Sequence, residues 1–237
     1  MQASRVANQE PQRVRLVADV AQFRALQPAW DALAETHAAG SPLARHDWFF
    51  GVWSAWHTGD LAARLVVVCL ADRAGKLVGI LPLCIGGRRR SLSPRRLSLL
   101  TPDQLSTPVR LPIDWHAVRK IAGLGEELRG ILGALEWDEL CLAGLELSDA
   151  EALTQLLGKD SLTLSDDASC PVVQLKPSWA ENFASMSANQ RKELRRNQRR
   201  FAKLGQLTMV VARTEEEVVA NFPELVRLAK LRDRRAG

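Results

Sequence analysis

Residues 64–84 read RLVVVCLADRAGKLVGILPLC, and the architecture hinges on them. Two apolar, β-branched runs, Arg64–Ala71 and Lys76–Cys84, flank Asp72, Arg73, Ala74 and Gly75. Such runs around a short turn cluster predict a β-hairpin with a loop of about three to five residues. Upstream, Val14–Ala18 alternates like a short strand. Asp19 then opens an amphipathic helix through Phe23, Leu26, Trp30 and Leu33 that stops at Gly40, with Pro28 as its point of kinking. After SPLAR, residues 46–59, HDWFFGVWSAWHTG, set Trp48, Phe49, Val52, Trp53 and Trp56 at helical spacing.

Downstream of the hairpin, GGRRRSLSPRR reads as an exposed basic loop and Arg96–Thr101 as a third strand of this region. A proline-rich connection, TPDQLSTPVRLPIDW, leads into a helix over His116–Glu136, a strand over Glu139–Ala143 and a helix capped by Ser148 with Glu151. Strands at Ser161–Ser165 and Val172–Leu175 give the order β, α, α, β, β, β, α, β, α, β, β, a mixed α/β sheet protein. Next come the basic helix Ser187–Gly205, a strand at Leu207–Ala212, a Thr214/Glu217 capping box and a helix restarted near Pro223.

The composition is globular, with 46% apolar and 25% charged residues in 237, which excludes a disordered chain and suggests about one and a half domains. The net charge of +5 is concentrated: residues 171–237 hold 14 cations against 7 anions, while residues 1–170 hold 18 against 20. A basic C-terminal quarter attracts nucleic acid, anionic lipid, phosphorylated sugars or a nucleotide cofactor, and charge alone does not choose among them. Cys69, Cys84, Cys141 and Cys170 are far apart, with no CxxC pair and no histidine at ligand spacing. Neither a metal site nor a disulfide framework is expected, and buried thiols in a reducing cytosol are. The start of the chain lacks an apolar signal core, and no run reaches the roughly 20 apolar residues of a membrane span. The expectation is a soluble cytoplasmic protein with residues 1–11 frayed.

The basic helix, SANQRKELRRNQRRFAKLG, carries seven cations and one anion. Arg191, Lys192, Arg195, Arg196, Arg199, Arg200 and Lys203 cover half its circumference, while Leu194, Asn197, Phe201 and Leu204 cluster opposite. Cations four residues apart repel by a few tenths of a kcal/mol per pair, about 1 kcal/mol over the stripe, so the isolated helix gains nothing from them. Ser187 with Gln190 reads as a capping box and Gly205 as the left-handed stop. A solvated basic face and an anion-binding face remain alternatives.

The element order of residues 12–175 resembles the GNAT acyltransferase fold. The phrases SPLARHDWFFGVWSAW, GKLVGILPL and CPVVQLKPSWAENFASMSANQRKELRRNQRRFAKLGQL extend this to the CelD-type acetyltransferases of bacterial polysaccharide synthesis. These are similar in plan to the tandem-GNAT peptidoglycan-bridge aminoacyltransferases. The resemblance implies an acyl donor such as acetyl-CoA and a small-molecule, sugar-linked or nucleotide-linked acceptor bearing an amine or hydroxyl. It also implies a division into residues 12–175 as a first GNAT-like domain, 176–205 as basic linking helices and 206–237 as the start of an incomplete second domain.

A pyrophosphate needs converging backbone N–H groups at a helix N-terminus, which the family supplies with a Gly-rich turn after its fourth strand. Here that position reads TPDQLSTPVRLPIDWHAV, with no glycine and with prolines that remove donors; Gly123 and Gly125 fall inside the expected helix. The first domain is therefore expected not to bind CoA, and the chain to be inactive alone. The absence of tyrosine excludes the Tyr general acid of many GNAT enzymes within these residues.

Asp103 lies where the resemblance places acceptor-facing residues, with a solvated turn aspartate as the alternative. Trp53, like Trp48 and Trp56, offers a face for a sugar, or for core packing. His46 and His57 lack a visible carboxylate partner, Glu126, Glu127 and Glu136 read as a solvent face, and Cys84 as an inert core thiol. Lys192, Arg195, Arg196 and Arg199 are the candidate anion ligands, because guanidinium forks match phosphate geometry, or else they pair with acidic residues of the first domain. The rival to an acyltransferase is a noncatalytic nucleic-acid-binding protein using the 191–203 helix and the 88–96 loop, although neither shows a recognised nucleic-acid motif.

Overall fold

The computed structural model describes residues 13–59, 63–86, 94–101, 107–160, 162–165, 170–171, 173–206 and 208–236. The chain divides into two compact units, Met1–Pro171 and Val172–Gly237. In the first, β1 (Val14–Val17), β2 (Arg64–Ala71), β3 (Leu77–Ile85), β4 (Arg96–Leu99) and β5 (Glu139–Cys141) form one mixed sheet in the spatial order β1-β2-β3-β4-β5. The first three pairings are antiparallel and β4–β5 is parallel. The expected hairpin is β2–β3. Asp72 builds its turn, its side chain accepting the N–H groups of Ala74 and Lys76, while Gly75 takes the left-handed φ of +80° that a side chain would strain.

Nearly every residue of β2 and β3 is buried, not alternate ones, so both faces of the sheet are covered. The helices of this unit are α1 (Val20–Ala25), α2 (Gln27–His37), α3 (His46–Gly59), α4 (Trp115–Val118), α5 (Leu124–Gly133) and α6 (Leu147–Leu157). Helices α2 and α4 pack on β3, α5 packs on β1, and α5 packs on α6. That last contact is close: a Cβ on Gly125 would collide with the Leu156 carbonyl oxygen.

Several local expectations are corrected. The helix opened by Asp19 is two helices that break at Leu26, because Pro28 has no N–H to continue the first and sits in the opening turn of the second. The expected His116–Glu136 helix is α4 followed by α5, separated where Gly123 adopts φ +77°. Helix α6 starts one residue before Ser148, with Glu146 at its N-cap and no side-chain cap bond. Residues 162–165, 173–175 and 208–212 are not strands: no neighbouring strand among the described residues supplies their ladder bonds, and a lone extended segment has nothing to hold it. The expected frayed residues 1–11 and most of the basic 86–96 loop lie outside the described residues.

The second unit holds α7 (Trp179–Ser185), α8 (Ala188–Ala202) and α9 (Glu215–Ala236). The Ser187/Gln190 capping box of α8 forms in both directions, and the same is true of the Thr214/Glu217 box of α9. The helix expected to restart near Pro223 instead runs through it without interruption.

Candidate functional site

The segment after β4 is where the resemblance would place a phosphate turn. Leu100 continues β4 by donating its N–H to the Pro82 carbonyl, and Pro82 has no N–H to return the bond. The chain leaves the sheet line at that point. It returns as residues 109–114 on the same line, between β3 and the extension of β5. Val109 bridges Leu145 in parallel and Ile113 bridges Gly79 antiparallel. Backbone bonds hold it there: Val109 N–H goes to Gly144 O, Glu146 N–H to Val109 O, Ile80 N–H to Pro112 O and Asp114 N–H to Val78 O.

Asp149 secures this segment. Its carboxylate, 2% exposed at the start of α6, accepts the Leu111 N–H at 2.8 Å and the Trp115 indole N–H at 2.7 Å. Val109, Leu111 and Ile113 are themselves buried. The crevice at the parallel strand pair is thus filled by the protein's own chain, with no fan of free N–H groups among the described residues to receive a phosphate. Asp149 was not legible as a site residue: it reads as an ordinary first-turn aspartate, and its partners lie 38 and 34 residues away.

Asp103 lies outside the described residues, as do the side chains of Trp56 and His57. Trp53 is buried in α3 and lines an apolar cleft of about 350 Å³ with Leu16, Val20, Arg64 and Leu135. Trp48 is half-buried against the core. His46 is a core residue: its ring lies against Phe23, Trp30 and Phe50, with Nε2 3.0 Å from the Phe23 carbonyl. Glu127 is not simply solvent-facing, since it pairs with Arg13 at 3.1 Å and accepts the Val14 N–H, tying α5 to the start of β1. Glu136 pairs with Arg95 at 2.8 Å.

Burial raises the Cys69 thiol pKa against the opposing pull of Arg15, which keeps it protonated and unreactive. Cys84 is likewise buried, 3.7 Å from the Ser98 hydroxyl. Among the described residues no cysteine is joined in a disulfide. Among the described residues no cluster of His, Cys, Asp or Glu is placed to hold a metal ion, and no helix is long and apolar enough to cross a membrane.

The cations of α8 divide by role. Arg191 donates to the carbonyls of Ala184 and Met186 and so clips the corner between α7 and α8. The Arg195 guanidinium lies 5.0 Å from the centroid of the Phe183 ring. Arg196 meets Glu193 at 3.6 Å across exposed helix surface, a pair of little worth, and among the described residues Arg199 bonds only the Arg195 carbonyl. Lys192, Arg200 and Lys203 have no partner among the described residues. Lys192, Arg196, Arg199 and Lys203 therefore form one exposed stripe over twelve residues, about 16 Å long. That is too long for a single phosphate and suits an extended anionic surface. The structure brings these candidate ligands together on one helix face and sets Arg195 to the side.

No protein-family model, no curated protein and no solved structure matches this chain.

Proposed function

We propose that the chain is part of a GNAT-type acyltransferase that moves an acetyl or other acyl group from acyl-CoA to an amine or hydroxyl acceptor. In this role the first unit shapes the acceptor side, and the donor is held by structure other than its β4–β5 crevice. The observation that carries this reading is the sheet: an antiparallel series β1–β4 followed by a helical crossover to one parallel strand, with the crevice after the fourth strand closed by residues 109–114. Attack of the acceptor on the thioester carbonyl would form the new amide or ester and release CoA thiol. The exposed cation stripe of α8 suits an extended anion, of which the phosphates of a nucleotide-linked acceptor or of the donor would cover one part. Polysaccharide or cell-envelope synthesis is the setting suggested by the resemblance.

Amide NMR titration of the whole chain tests this. Amines, amino sugars and sugar hydroxyl compounds should shift resonances of the first unit, and acetyl-CoA should leave residues 96–115 unmoved. Shifts at 96–115 on adding acetyl-CoA would overturn the donor placement, and silence to every acceptor class would overturn the acceptor role. An RNA oligonucleotide serves as the contrasting arm: binding that weakens steeply with salt and is lost in Arg196→Glu would favour the nucleic-acid reading.

A further inference from the structure

The apolar cleft beside Trp53 arises because β1 is shorter than β2. The register pairs Val14 with Leu70 and Val17 with Val67, so Arg64, Leu65 and Val66 project past the end of β1. Continued by two residues, the register would set Asp19 against Leu65. Asp19 is instead the N-cap of α1, with its carbonyl accepting the Phe23 N–H. Ala71 donates its N–H to Arg13, so the odd-numbered residues of β2 direct their backbone groups toward β1. Leu65 therefore turns its N–H and C=O toward the cleft, where β1 has already departed.

The lining includes Leu16, Val20, Trp53, Ala63, Leu65 and Leu135, together with Arg64. The Arg64 guanidinium is exposed and has no ion-pair or hydrogen-bond partner among the described residues. The volume, about 350 Å³, falls within the range of small-molecule clefts, about 300–1,000 Å³. An apolar chamber with one unpaired guanidinium complements a ligand with an apolar body and a single anionic head, and a carboxylate matches the planar fork. A phosphate dianion would need a second cation, and Arg64 is the only one lining the cleft among the described residues.

We propose that this cleft binds a small apolar monocarboxylate, its tail against Trp53 and Leu135 and its carboxylate on Arg64. The inference does not rest on acyl transfer, because it concerns a different part of the sheet and a ligand that needs no CoA.

The test is titration of the whole chain with octanoate, followed through the Leu65 amide and Trp53 indole NMR signals, with octan-1-ol as the uncharged control. Octanoate should shift both signals. Arg64→Gln, a change at an exposed side chain, should weaken octanoate about tenfold and leave octanol unchanged. Ala63→Phe should fill the cleft and abolish both. Absence of shifts at Leu65 and Trp53, or octanoate affinity equal in wild type and Arg64→Gln, would overturn the proposal.

Discussion

Trp30 of α2 and Phe222 of α9 are both large aromatic residues on the apolar side of a helix, yet Trp30 is 0% exposed and Phe222 is 57% exposed. The difference extends to their whole units. In the first, two dozen and more apolar side chains close around the sheet, and Trp30 adds an indole bond to the Ala44 carbonyl. In the second, no described side chain is buried, and Val218, Val219, Phe222, Leu225 and Leu228 leave the apolar side of α9 open. Both units have well-formed helices with side-chain caps. Capping and periodicity therefore suffice to form a helix, but burial requires surfaces that arrive from elsewhere in the chain.

The largest expected effect tests that contrast directly. Trp30→Ala should cost about 3–5 kcal/mol in urea unfolding, with Trp30→Phe intermediate, because it opens a cavity in a closed core and orphans the Ala44 carbonyl. Phe222→Ala should change stability by less than about 0.5 kcal/mol. Equal losses at the two positions would mean that α9 is covered in solution.

A smaller effect isolates local chemistry. Ser187→Ala removes the cap of α8 and should cost about 1 kcal/mol of local helix stability. Amide exchange at residues 190–193 should quicken about fivefold, while the unfolding midpoint of the first unit stays put. A shift in that midpoint would show that α8 contributes to the core.

The smallest concerns Asp114, the N-cap of α4. The Ala117 N–H, and secondarily the nearby His37, hold its carboxyl below the usual aspartate pKa. A depressed folded pKa contributes stability above the unfolded value, near 4, and that contribution is lost as pH falls through the folded value. Asp114→Asn should therefore flatten the acid limb of the stability profile below about pH 4 and leave neutral-pH stability nearly unchanged. A wild-type acid limb in the variant would remove Asp114 from the account.

Much of the sheet was legible. The Asp72–Gly75 turn and its flanking apolar runs predict the β2–β3 hairpin, and the strands around Val14, Arg96 and Glu139 follow from alternation and turn residues. The site was less so. The prolines of 102–112 show that backbone donors are removed there, but not that residues 109–114 rejoin the sheet line. Trp53 is recognisable as an aromatic residue of a helical seam, whereas the cleft it lines depends on where β1 stops relative to β2. The cation stripe of α8 is plain in the sequence, and its internal division is not: Arg195 turns toward Phe183 in a different helix.

The sequence by itself determined the Asp72–Gly75 turn, the caps at Asp19, Ser187 and Thr214, and the basic face, because each depends on groups within about five residues of one another. Only the tertiary structure decided that Asp149 holds Leu111 and Trp115, that residues 109–114 close the crevice, and that one unit has a core while the apolar residues of the other stay exposed. Those outcomes are set by contacts between segments tens of residues apart. Whether an apolar or charged group is covered depends on what the fold brings to it, and periodicity along one segment carries no record of that.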